Sequence, residues 1–154
     1  MKRYLTEFIG TFFLVLTIGL TFGGSEFAAL AIGSVLMVMV YMGGHVSGAH
    51  YNPAVTLAVA LRDKMERADV APYMLSQVLG ALLAGGAVYV ILGATFAPTP
   101  GAEASLSAAL LVEFLFSFAL ALVVLNTAMV EETDGNSYFG LAIGFTVAVG
   151  VFAA

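Results

Sequence analysis

The chain has 154 residues, 61% of them hydrophobic and 10% charged, and a mean hydropathy of +1.03, far from the composition of a soluble globular domain. It reads as an all-α integral membrane protein. With no cysteine, disulfides, thiolate metal ligands and thiol redox chemistry are excluded, and a net charge of -5 offers no basic surface for nucleic acid.

In chain order, Lys2-Arg3 precede an apolar run from Leu5 to Phe22, long enough to span a bilayer and ended by Gly23-Gly24-Ser25-Glu26. The run imitates a signal peptide, but no small-x-small cleavage site follows it, so it is expected to be an uncleaved first span. Ala28 to about Tyr41 is the second. It leads into Gly44-His45-Val46-Ser47-Gly48-Ala49-His50-Tyr51-Asn52-Pro53-Ala54-Val55-Thr56-Leu57, a polar, glycine-bearing loop in an otherwise apolar chain.

Asn52 is a favoured N-cap residue, and Pro53 suits a first helical position, where its missing N–H would have no partner in any case. A short apolar helix is therefore expected over Ala54 to Leu61. The non-helical backbone before it, Gly48-Ala49-His50-Tyr51, is tolerated at membrane depth only where protein buries it or where it lines a watery cavity. The charged run Arg62-Asp63-Lys64-Met65-Glu66-Arg67 reads as a solvated membrane-edge loop. A third span is expected from Val70 to Ala94, starting near Pro72, with Gly80, Ala81, Ala84, Gly85 and Gly86 permitting close helix contact. Thr95 to Glu103 is a short loop, Leu106 to Val130 a fourth span and Glu131 to Asn136 an acidic turn. Tyr138 to Ala154 begins a fifth span.

Lys2, Arg3, Arg62, Lys64 and Arg67 all fall on one side of this arrangement, which predicts a cytoplasmic N-terminus. Two short patterns recur. Glu7-Phe8-Ile9-Gly10-Thr11-Phe12 in span one matches Glu113-Phe114-Leu115-Phe116-Ser117-Phe118 in span four, and Leu30-Ala31-Ile32-Gly33 matches Leu141-Ala142-Ile143-Gly144. Three spans separate the copies, so residues 1–94 and 105–154 read as oppositely oriented repeats of one membrane domain, an arrangement that places a site near the bilayer midplane. The same spacing in the second repeat puts a matching Asn-Pro-Ala beyond Ala154, so the expectation is a truncated product with five spans of six and one half-helix of two.

These residues resemble the major intrinsic protein family of aquaporins and glycerol facilitators. Ser47 to Thr56 is similar to the family's first signature loop, Glu7 to Phe12 to its first-helix signature, and Gln77 with Gly80-Ala81 to its third helix. The resemblance covers the whole chain. It implies an aquaporin-like inverted repeat with re-entrant half-helices meeting at paired Asn-Pro-Ala motifs, in a homotetramer with one pore per subunit and no cofactor. The partners implied are the lipid bilayer, water and small neutral solutes, in the cell membrane.

On that resemblance Asn52, Pro53 and Ala54 form the pore motif, and the carbonyls of Gly48, Ala49, His50 and Tyr51 replace the hydrogen bonds that single-file water loses. The Asn52 side chain would donate to a passing oxygen, while the half-helix N-terminus repels cations and protons. Intramembrane carboxylates are expensive unless satisfied, so Glu7 and Glu113 are expected to accept hydrogen bonds from loop backbone or His50. The resemblance makes Glu7 the brace of the Asn52 loop and Glu113 the brace of the second one. Tyr51 is expected to pack beside the pore. Counting as the family does places Ile32 and Val151 at the selectivity constriction, where strict water channels usually carry Phe and His. Two aliphatic residues give a wider, less polar wall, compatible with ammonia, urea or glycerol as well as water, whereas the short Thr95 to Glu103 loop argues mildly against a glycerol facilitator. Two readings of different class remain: a passive channel, and a non-conducting membrane scaffold. A proton relay through Glu7 and Glu113 lacks an intramembrane Lys or Arg, His45 and His50 do not share a helix face for a metal, and no nucleophile-base pair supports an enzyme.

Overall fold

The computed structural model describes residues 1–21, 24–101 and 104–153. Phe22 and Gly23 at the end of the first expected span, Ala102 and Glu103 at the end of the expected short loop and Ala154 at the end of the fifth span lie outside the described residues.

Among those described, the chain is helical throughout: α1 (Lys2–Thr21), α2 (Ala28–Ser47), α3 (Pro53–Leu61), α4 (Arg67–Leu92), α5 (Leu106–Ala128) and α6 (Phe139–Ala153), with a 3-10 turn at Glu131–Thr133 before α6. Helices α1, α2, α4 and α5 are each long and apolar enough to cross a membrane, since 20 residues at 1.5 Å each match a ~30 Å hydrocarbon core. Helix α6 has 15 described residues, equally apolar but shorter.

Packing fixes the relative directions. Tyr4 lies against Tyr73, Glu7 against Gln77 and Gly19 against Val88, so α1 and α4 run the same way. Gly33 meets Gly144 and Ala148, while Tyr41 covers Gly140, so α2 and α6 run in opposite directions. Where they cross, a Cβ on Gly33 would stand 2.6 Å from the Gly144 carbonyl oxygen, and one on Gly144 would strike the Gly33 carbonyl oxygen. The repeated Leu-Ala-Ile-Gly pattern thus meets its own copy at the same glycine, which only two residues without side chains permit at this separation. The half-helix α3 sits inside, against α4 and α5, with Val55 and Val59 buried in the core.

Among the boundaries that differ from the sequence expectation, two bear on the packing around the loop. Helix α2 does not end near Tyr41 but runs to Ser47, so Gly44-His45-Val46-Ser47 is helix and the irregular backbone is confined to Gly48–Asn52. The reason is a tertiary contact: a Cβ on Gly43 would strike the Tyr51 hydroxyl, so the glycine that reads as a breaker is a notch in a continuing helix. Helix α4 starts at Arg67 rather than Val70, which places Pro72 inside it, and its first turn is anchored by Asp69. The buried Asp69 carboxylate pairs with Arg3 at 2.7 Å and accepts the Tyr4 hydroxyl at 2.5 Å. Of the charged run before it, all but half-buried Met65 is exposed.

Candidate functional site

Helix α2 is stopped by Gly48, whose φ of +83° is the left-handed conformation that a residue without Cβ adopts freely; its N–H donates to the Gly44 carbonyl at 3.0 Å. Ala49 (φ 52°) and Tyr51 (φ 48°) are also left-handed, a conformation worth about 1–3 kcal/mol of strain for each residue with a side chain. Something must hold them.

That something is Glu7, fully buried on α1. Its Oε1 accepts from the Ser47 hydroxyl at 2.6 Å and the His50 amide at 3.0 Å; its Oε2 accepts from the Tyr51 amide at 2.7 Å and Gln77 Nε2 at 2.8 Å. Two donors on each oxygen is what an ionised carboxylate needs to be tolerated in a dry interior. Ser47 extends the clamp by accepting the Ala49 amide at 3.0 Å, and its carbonyl accepts the Tyr73 hydroxyl at 2.8 Å. The ring of Tyr51 is driven between α1 and α2, into notches left by Gly10 and Gly43, and its hydroxyl donates to the Met39 carbonyl at 2.9 Å.

With the amides of Ala49, His50 and Tyr51 tied back in this way, the carbonyls of Gly48, Ala49, His50 and Tyr51 accept no hydrogen bond from any described residue. At Asn52 the backbone is extended and the side-chain oxygen caps α3, accepting from Ala54 N at 2.7 Å and Val55 N at 3.4 Å, so Pro53 occupies the first helical position. The Asn52 side-chain nitrogen donates to no described residue and is half-buried.

A cavity of about 660 Å³ is bordered by Ala49, His50, Tyr51, Asn52, Ile32 and Val151 among others, so one space gathers the loop and the two constriction candidates. Glu113 borders it too; it is exposed and accepts no hydrogen bond from a described residue. Gly48 instead borders a separate space of about 290 Å³ together with His45 and Asp134, and Ile143 borders both. Glu7 reaches neither. Pro53 and Ala54 are exposed at the start of α3.

Sequence reasoning did not single out Ser47, Thr56 or Tyr73, and it used Gln77 only as a point of resemblance. A signal existed for Gln77: an amide inside an apolar span demands a partner. None existed for Ser47, which reads as loop. Among the described residues no group of three His, Asp or Glu is placed to hold a metal.

The major intrinsic protein family profile matches residues 1–154. Glycerol uptake facilitator protein-like 6 of Lactiplantibacillus plantarum is 35% identical over the whole chain, which spans 76% of that protein, and Aquaporin NIP1-1 of Zea mays is 35% identical, with the chain spanning 58% of its length. The solved structure of the aquaglyceroporin from Plasmodium falciparum superposes with a TM-score of 0.75 at 22% identity, covering 99% of this chain and 70% of that one, and so shares the fold. The left-handed loop clamped by an intramembrane carboxylate, the Asn-capped half-helix and the oppositely directed repeats therefore stand in a known lineage: the chain belongs to the major intrinsic protein family.

Proposed function

We propose that the chain forms the wall of a passive transmembrane pathway for water and small neutral solutes, without enzymatic chemistry or a cofactor. The observation that carries the reading is the row of carbonyls at Gly48–Tyr51 that no described residue satisfies, with Ala49, His50 and Tyr51 bordering the 660 Å³ cavity, while the amides of 49–51 are fully engaged. Such oxygens at membrane depth are tolerable only if a passing donor takes the place of a protein partner. Asn52 keeps a free side-chain N–H for the solute's oxygen, and the N-terminus of α3 adds partial positive charge that disfavours cations and protons.

Ile32 and Val151 form the constriction in this reading; both are aliphatic and contribute no donor, which favours entry of solutes such as glycerol, urea or ammonia alongside water. Residues 1–94 and 105–154 act as the two repeats, and Glu7 braces the loop of the first. The N-terminus is cytoplasmic, supported by the Arg3–Asp69 pair that draws the first basic cluster to the α4 start, beside the second. Four such subunits assemble in the cell membrane.

The test is stopped-flow light scattering on proteoliposomes of the full-length protein, challenged first with an impermeant osmolyte and then with glycerol. Fast shrinkage without reswelling is expected of a water-selective pathway, rapid reswelling of the broader facilitator. Flux no faster than bare lipid defeats both and leaves a scaffold. Asn52→Asp, which replaces the donor with an anion, is expected to weaken cation exclusion; unchanged flux and ion exclusion would remove Asn52 from the path.

A further inference from the structure

At the end of α3 remote from Asn52, the chain places two cations that no described side chain engages. The helix closes on Asp63, left-handed at φ 52°, with the Lys64 N–H donating to the Val59 carbonyl and the Asp63 N–H to the Ala60 carbonyl, both at 3.1 Å. This closure ties the backbone of Arg62 and Lys64 to the last turn of α3. Of the other basic residues at this end of the bundle, Arg3 is held by buried Asp69 at 2.7 Å and Arg67 faces Asp63 at 3.7 Å. Arg62 and Lys64 enter no ion pair and no side-chain hydrogen bond with a described residue, although Glu131 and Glu132 are exposed in the turn after α5. Nor does α5 use them as caps. Its Asn126 carbonyl accepts the Thr133 hydroxyl at 3.0 Å and its Thr127 carbonyl accepts the Asn136 side-chain amide at 2.7 Å, so the chain's own turn already satisfies these end carbonyls.

The two cations border a space of about 290 Å³, distinct from the one beside Gly48, whose other walls include Leu122, Leu125, Met129 and Val130. Leu115, Phe118 and Leu122 are exposed and follow one another at three and four residues, so an apolar ridge runs from this space along α5. A pair of unpaired cations above an apolar wall, at the level where a membrane-crossing helix ends, complements a molecule that is anionic at one end and hydrocarbon at the other. A free phosphate would leave the apolar wall unused. We propose that the space between the ends of α3 and α5 binds an anionic phospholipid, its phosphate received by Arg62 and Lys64 and the start of an acyl chain laid on Leu122. The bound lipid ties the end of the half-helix to α5, so bilayer composition acts on the element that carries Asn52. The site goes beyond the pathway reading and does not depend on it.

The experiment is photolabelling of the full-length protein in phosphatidylcholine bilayers that carry a trace of phosphatidylglycerol with a diazirine near the glycerol end of one acyl chain, followed by peptide mapping. Adducts are expected to concentrate on residues 122–130, and unlabelled phosphatidylglycerol is expected to compete where inorganic phosphate does not. Arg62→Gln and Lys64→Gln are each expected to weaken this labelling about five-fold, and the double variant about 25-fold, the worth of one cation each at a membrane surface. Lys64→Arg keeps the charge and is expected to keep the label. Lys2→Gln removes one cation outside the space and is expected to leave the label unchanged. Both site residues are exposed and unpaired among the described residues, so their loss is not expected to unfold the chain. Competition by inorganic phosphate overturns the lipid in favour of a free anion. An equal loss in Lys2→Gln, labelling spread evenly along the helices, or none at 122–130 overturns the site and leaves only the general attraction of a basic membrane edge.

Discussion

Glu7 and Glu113 occupy the same place in two copies of one pattern, each followed by Phe, a hydroxyl residue four positions on and a further Phe, yet their surroundings have nothing in common. Glu7 is fully buried and accepts four hydrogen bonds; Glu113 is exposed, borders a cavity and accepts none from a described residue. A helical pattern sets where a carboxylate points, and the loop it meets decides whether that carboxylate is a clamp. Glu7 meets Ser47, His50 and Tyr51 from across α2 and Gln77 from α4, and in return holds two strained residues in place.

The comparison is sharpest under an isosteric change. Glu7→Gln puts an amide hydrogen against donors of which the Ser47 hydroxyl and the His50 and Tyr51 amides have no other acceptor among the described residues, and is expected to destabilise the chain by about 3–6 kcal/mol, the equivalent of two charge-assisted hydrogen bonds lost with their donors buried. Equilibrium unfolding in mixed micelles measures it, and a loss below ~1 kcal/mol would show that the loop holds its shape unaided.

Gly10→Ala is next: its Cβ would run into the Tyr51 ring, and overpacking of this kind costs about 1–3 kcal/mol. Gly85→Ala and Gly86→Ala, with nothing near the added carbon, are expected to be neutral or stabilising by up to ~1 kcal/mol on the same assay. Equal effects at Gly10 and Gly85 would mean that Tyr51 is not wedged there. Tyr51→Phe removes only the bond to the Met39 carbonyl and is expected to cost about 0.6 kcal/mol, the average for such bonds between membrane helices. Smallest of all, Glu113→Gln in this chain is expected within ~0.5 kcal/mol of the unmodified protein. A loss as large as at Glu7 would reveal donors around Glu113 and erase the contrast.

The apolar runs, Asn52-Pro53 and the repeated tetrapeptide carry the membrane class, the half-helix start and the inverted arrangement on the sequence alone, because each depends on local rules: hydrocarbon thickness, the N-cap's oxygen, the ring of proline, the count of crossings between copies. The extent of α2, the slot for Tyr51 and the four donors around Glu7 were decided only by tertiary structure. Each depends on groups brought together across the chain, such as Glu7 and Gln77, which are 70 residues apart, or Tyr51 between Gly10 and Gly43. A glycine reads as a break until a ring fills the space above it, and a buried serine reads as loop until a carboxylate from another helix claims its hydroxyl. Hydropathy records neither, since it measures what a segment avoids and not which partner it meets.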